Sequence, residues 1–144
     1  MTKDQLFGSW KVLSFKAIAG NDISYPLGPE PGGYIGFSPT RFWVMLADST
    51  RKPPVSAALT DAEAISLMRS CVAYTGMYEL ESPPTAEGSK IAICVDAASN
   101  QALVGTDRIF FLRLNGNELT FQSPSVVIPN GSRSTVQLNF IKAD

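Results

Sequence analysis

The chain has 144 residues, 44% of them hydrophobic, with 12 basic and 13 acidic side chains and a net charge of −1. That length makes one domain, residues 1–144, able to bury about two thirds of the surface its unfolded chain exposes. No apolar run approaches the roughly 18 residues of a membrane helix, and Lys and Arg are too scattered to form a footprint for nucleic acid or anionic lipid, so neither nucleic acid nor a membrane is expected as a partner.

Histidine is absent, which removes the commonest general base, the commonest metal ligand and the usual partner of a catalytic Ser or Cys. Cys71 and Cys94 are the only cysteines, too few for a structural zinc site; no metal and no cofactor is expected. Gly28, Gly32 and Gly33 lie among prolines, not at the strand-to-helix turn of a phosphate loop. The opening Met1-Thr2-Lys3-Asp4-Gln5-Leu6-Phe7 lacks the charged head and apolar core of a secretory signal. The expected location is therefore cytoplasmic, with both cysteines as free thiols.

In chain order, Gly8-Ser9-Trp10 stands at the start of a first strand over residues 10–15. Gly8 allows a sharp turn, and Trp10 supplies a large rigid plug for one end of a barrel, its indole N–H free to find a partner. Gly20-Asn21-Asp22 turns the chain, and the proline- and glycine-rich stretch 25–33 breaks any ladder. Residues 34–37 and 41–47 pair as a hairpin through Ser38-Pro39-Thr40. Thr60-Asp61-Ala62-Glu63 is a capping box that opens a helix near residues 60–72. Its stripe Ala64, Ile65, Leu67, Met68, Cys71 and Val72 recurs at helical spacing, which predicts a helix lying across the barrel or closing one end. Strands follow near 76–81, 90–96, 106–114, 118–122 and 135–142, with turns at Asn115-Gly116-Asn117 and Pro129-Asn130-Gly131-Ser132.

Eight or so short antiparallel strands with one helix imply an all-β closed meander. An eight-stranded barrel leaves room for one small ligand, whereas the alternative two-layer sandwich leaves none.

Leu6-Phe7-Gly8-Ser9-Trp10-Lys11-Val12-Leu13-Ser14-Phe15 resembles the opening of the small lipocalin-like domain family, within the wider lipocalin and calycin group. The likeness continues through 26–34, Tyr74-Thr75-Gly76-Met77-Tyr78-Glu79-Leu80 and Val104-Gly105-Thr106-Asp107. It implies an up-and-down barrel of about eight to ten strands with an internal pocket, but no single activity, since such families include passive binders and cofactor-free enzymes. The departures are informative. Ile93-Cys94 stands where members often carry His-His, Leu103 where they carry Trp, Met45 where they carry Gln, and Phe110 where they carry Arg. The family's closing Trp-x-Arg is here Phe140-Ile141-Lys142, and Lys142 can still lie over Trp10. If these positions face inward, the pocket has been relined for a greasy ligand.

Strand alternation proposes the lining. In 106–114 the face carrying Arg108, Phe110, Leu112 and Leu114 is the more apolar and is placed inward. In 41–47 either Phe42, Val44 and Leu46 or Arg41, Trp43 and Met45 face inward, and the family position of Met45 favours the second set. Tyr74, Gly76 and Tyr78 share a face, with the glycine leaving space beside two phenols. Arg108 inside would neutralise Asp96 or Glu79 or hold a ligand oxygen; at a rim it would sit half exposed.

Two functions are expected as alternatives. One is a cofactor-independent isomerase, cyclase or pericyclase acting on a hydrophobic natural-product intermediate. In it Arg108, Tyr34 or Tyr78 polarises a carbonyl, Asp96 or Glu79 serves as base, and Trp43, Met45, Cys94, Leu103 and Phe110 form the lining. The other is a carrier that binds a small hydrophobic molecule without turnover. A homodimer is compatible with either.

Overall fold

A computed structural model describes all of residues 1–144. After a 3₁₀ turn at Lys3–Leu6 come β1 (Gly8–Ala19), β2 (Asp22–Ser24), β3 (Gly32–Phe37) and β4 (Arg41–Ala47). Helix α1 (Asp61–Arg69) separates these from β5 (Cys71–Leu80), β6 (Ser89–Ala98), β7 (Asp107–Asn115), β8 (Glu118–Gln122), β9 (Val126–Val127) and β10 (Arg133–Lys142). A second 3₁₀ turn, Gln101–Leu103, lies between β6 and β7. No helix is long and apolar enough to cross a membrane.

Each strand pairs antiparallel with its neighbour in the order β2-β1-β3-β4-β5-β6-β7-β8-β10-β9. The sheet closes because β1 also pairs with β10, from Trp10 opposite Lys142 to Ala19 opposite Ser134. The result is an eight-stranded barrel with β2 and β9 as short additions along the far halves of β1 and β10. Alternate residues point inward, so Val12, Ile35, Phe42, Val44, Leu46, Ile91, Ile93, Val95, Leu112, Leu119, Phe121 and Phe140 build one continuous core. Each such side chain contributes about 1.5–3 kcal/mol by leaving water.

One end of the barrel is closed. Gly8 takes φ +106°, and the Asp144 carbonyl occupies the place where a side chain at Gly8 would begin, so only glycine fits. Trp10 turns into the barrel and donates its indole N–H to the Leu6 carbonyl at 2.9 Å. The Lys142 ammonium lies 4.6 Å from the Trp10 ring and also donates to the Phe7 carbonyl. Ser9 donates to the Asp144 carboxylate through both N–H and hydroxyl, and the Ser9 hydroxyl foremost holds that carboxyl below its usual range.

The helix departs from expectation in two ways. The capping box forms as read, with Thr60 and Glu63 exchanging hydrogen bonds, but α1 ends at Arg69 and not near 72. Ser70 closes it on the Leu67 and Ser66 carbonyls, and Cys71 and Val72 pair with Ala47 and Leu46 as the start of β5. Nor does α1 pack across the barrel. No residue between positions 48 and 70 is buried, and Ile65 and Met68 remain in solvent.

Candidate functional site

The far end of the barrel opens into an apolar cavity. Its floor is a cluster of rings: Phe121 sits with its centroid 5.3 Å from Phe110, 5.3 Å from Phe140 and 6.1 Å from Phe42. Aliphatic walls rise from Val44, Leu46, Val72, Val136 and Leu138. The space is about 150 Å³. A cavity of that size takes one benzene-like ring, whereas drug-sized ligands occupy roughly 300–1,000 Å³.

Three polar side chains interrupt this lining: Tyr74, Arg108 and Ser123. The Ser123 hydroxyl is already engaged, by the Val136 N–H at 2.7 Å and the Thr135 hydroxyl at 3.2 Å. Tyr74, on β5, is buried, and burial pushes its phenol above the ordinary tyrosine range, while the neighbouring Arg108 guanidinium pulls the other way. Arg108, on β7, pairs across the sheet with the inward-facing Ile93 and remains exposed at the mouth. It has no carboxylate partner; the ion pairs are Arg41–Asp96 and Lys90–Glu81. A phenol and a guanidinium thus meet at the lip of an apolar cavity, and neither has a carboxylate beside it.

Phe110 and Arg108 occupy the face expected of them. The other proposed residues lie elsewhere. Trp43 and Met45 point outward, 39% and 48% exposed, because Gly36 faces Trp43 across the β3–β4 pair; a Cβ at Gly36 would run into the indole. The ring covers that glycine from outside, which forces Phe42, Val44 and Leu46 inward. Tyr34 pairs with Met45 on the same outer wall and is 48% exposed. Cys94 and Asp96 are outward as well, since Ile91, Ile93 and Val95 take the inner positions of β6. Asp96 is bound by Arg41 at 2.7 Å and by the Thr75 hydroxyl at 2.8 Å, and Arg41 chiefly holds its carboxyl below the usual range.

Tyr78 is buried at the closed end, donating to the Ser38 carbonyl at 2.8 Å with Lys3 over its ring; burial pushes its phenol up to about 12. Leu103 packs against the core from the 3₁₀ turn but does not line the cavity. Of the positions inferred to reline the pocket, Ile93 faces inward but packs in the core, and only Phe110 lines the cavity. Tyr74 was signalled by its place on one face with Gly76 and Tyr78.

A larger surface cleft, about 590 Å³, separates the loop at Asp48–Thr50–Arg51 from α1. Its carboxylates serve the chain itself: Asp48 accepts from Thr50, and Glu63 accepts from the Thr60 and Val55 N–H groups.

A closed antiparallel barrel plugged at one end, with an apolar cavity opening at the other, is the architecture of small-ligand binding barrels. The sequence model of the lipocalin-like domain family matches residues 7–142, and the chain belongs to that family. Neither a curated protein nor a solved structure matches it.

Proposed function

We propose that the barrel binds a small apolar molecule about one ring in size, with a carbonyl or carboxylate oxygen held at the mouth by Arg108 and Tyr74. The observation that carries this is the guanidinium of Arg108, without a carboxylate partner, beside a buried phenol at the lip of an apolar cavity. The cavity walls supply affinity without direction. The two donors supply orientation, and a charge-assisted bond to a ligand oxygen is worth about 1.5–3 kcal/mol.

Calorimetric titration with a benzoate-sized aromatic acid, its methyl ester and the parent hydrocarbon tests the reading. Acid and ester bind more tightly than the hydrocarbon. Arg108→Ala lowers affinity for the acid roughly 10–100-fold and leaves the hydrocarbon unchanged. Unchanged affinity for the acid in that variant overturns the assignment.

A second reading adds turnover, as a cofactor-independent isomerase, cyclase or pericyclase. It is favoured by the Tyr74–Arg108 pair, since two donors on one carbonyl polarise it while the walls select a conformer. With Asp96 and Glu79 outside the cavity, such a reaction must have a low intrinsic barrier and need no carboxylate base. Chiral chromatography after incubation with a reactive unsaturated ketone distinguishes the two readings: an unchanged spontaneous product ratio leaves binding alone.

A further inference from the structure

Four connections surround the mouth: residues 20–31, 48–70, 99–106 and 123–132. Three of them carry large apolar side chains that reach into water. Ile23 stands on β2, Val126 and Val127 (64% exposed) on β9, and Val55 (98%), Ile65 and Met68 on the long connection that contains α1. The connections of the closed end, 38–40, 81–88 and 116–117, hold no exposed large apolar residue. The asymmetry follows the architecture. Beyond residue 11 of β1 the barrel neighbour β3 no longer pairs, and before residue 137 of β10 neither does β8; at residues 17–19 and 133–134 β2 and β9 flank the two strands instead. They form a four-stranded lip on one side of the mouth, and α1 stands on another connection with its apolar side chains unpacked. Apolar groups projecting at one end from separate connections, around an apolar cavity, suit a deformable partner better than a rigid complementary surface.

Charge narrows the partner. Within 48–70, Asp48, Asp61 and Glu63 balance Arg51, Lys52 and Arg69, and the other three connections contain no Lys or Arg and add the acids Asp22 and Glu30. Attraction to an anionic surface needs a cationic excess, which is missing. We propose that the open end docks on an electrically neutral, zwitterionic lipid surface, with β2, β9 and α1 dipping their exposed side chains into it and the cavity mouth facing the lipid. This goes beyond the binding of a small molecule. It places the mouth where apolar molecules dissolve, and it departs from the expectation of no membrane partner drawn from the absence of a basic patch.

The test is flotation of the full chain with phosphatidylcholine vesicles, and with vesicles in which part of the lipid is phosphatidylglycerol, at low and high salt and without any added small ligand. The protein floats with both, and salt does not release it. Ile65→Asp and Val127→Asp each weaken partitioning about tenfold. Met45→Asp, an equally exposed apolar position on the barrel wall, has no effect. Trp fluorescence confirms that all three variants are folded. Absence from the phosphatidylcholine fraction overturns the proposal, as does floating only with phosphatidylglycerol in a salt-sensitive way. So does a dimer in sedimentation velocity that Ile65→Asp and Val127→Asp dissociate, since a second copy then covers the rim. Titrations of soluble aromatic acids contain no lipid, so failure here leaves the cavity assignment standing, and the reverse.

Discussion

The two ends of this barrel are built from the same strands and obey opposite rules. At the closed end the main polar side chains are used internally: Trp10 on Leu6, Lys142 on Phe7, Tyr78 on Ser38, Ser9 on Asp144. At the open end Arg108 has no carboxylate, and α1 buries nothing. Satisfied groups rigidify, and unsatisfied donors aimed at a cavity wait for a partner. The internally satisfied end therefore lies opposite the end to which we assign ligand binding.

The largest test of that division is Trp10→Ala. Removing the fully buried plug costs about 3–5 kcal/mol of unfolding free energy, read as a lower urea midpoint. If Arg108→Ala destabilised the fold as much, the contrast between the ends would collapse. Next, Tyr78→Phe removes the bond to Ser38 and costs about 1 kcal/mol, with ligand affinity unchanged. Tyr74→Phe, on the cavity wall, weakens binding of an oxygen-bearing ligand and leaves the urea midpoint nearly in place.

Alkaline pH probes the same phenol. The Tyr78 hydroxyl titrates near 10.0 when unfolded and about 12 when folded. Below the first value both states keep the proton; between the two only the unfolded chain releases it, so stability falls as pH rises through that window. Tyr78→Phe makes the decline shallower, and an identical decline in both proteins would remove the buried phenol as its cause. The smallest effect is that of Arg108→Ala on folding, within about 0.5 kcal/mol by thermal or urea unfolding.

Much of the fold was legible because its signals are local. Gly8-Ser9-Trp10, the Thr60–Glu63 capping box and the Asn115-Gly116-Asn117 turn act over a few residues and form where read. The inward face of β7 was legible too, since only one alternation was continuously apolar. β4 was not, because both of its faces are apolar; the deciding fact is that Gly36 faces Trp43, a matter of register between strands. The outward turn of Asp96 could have been read from Ile91, Ile93 and Val95, which claim the inner positions. The length of α1 misled for a different reason: Cys71 and Val72 continue its periodicity, yet β4 offered them a ladder, and tertiary pairing overrides local spacing. At the mouth the faces of Arg108 and Tyr74 were legible one strand at a time, but their meeting was not, as it depends on strands distant in sequence.

The seam between β1 and β10 sets the order of assembly. Ser9 and Asp144 are 135 positions apart in the chain yet share hydrogen bonds, and Ala143 donates to the Ser9 carbonyl at 2.9 Å. During synthesis Trp10 emerges long before β10, the strand that pairs with it. Without β10 the sheet of β1 and β3 to β8 has no closing partner, and its edges are free to pair with other chains. Loop closure of that span comes before the contacts that reward it, which makes folding slow for a chain of this length. Gly8-Ser9-Trp10 thus reaches its final surroundings only once β10 is in place.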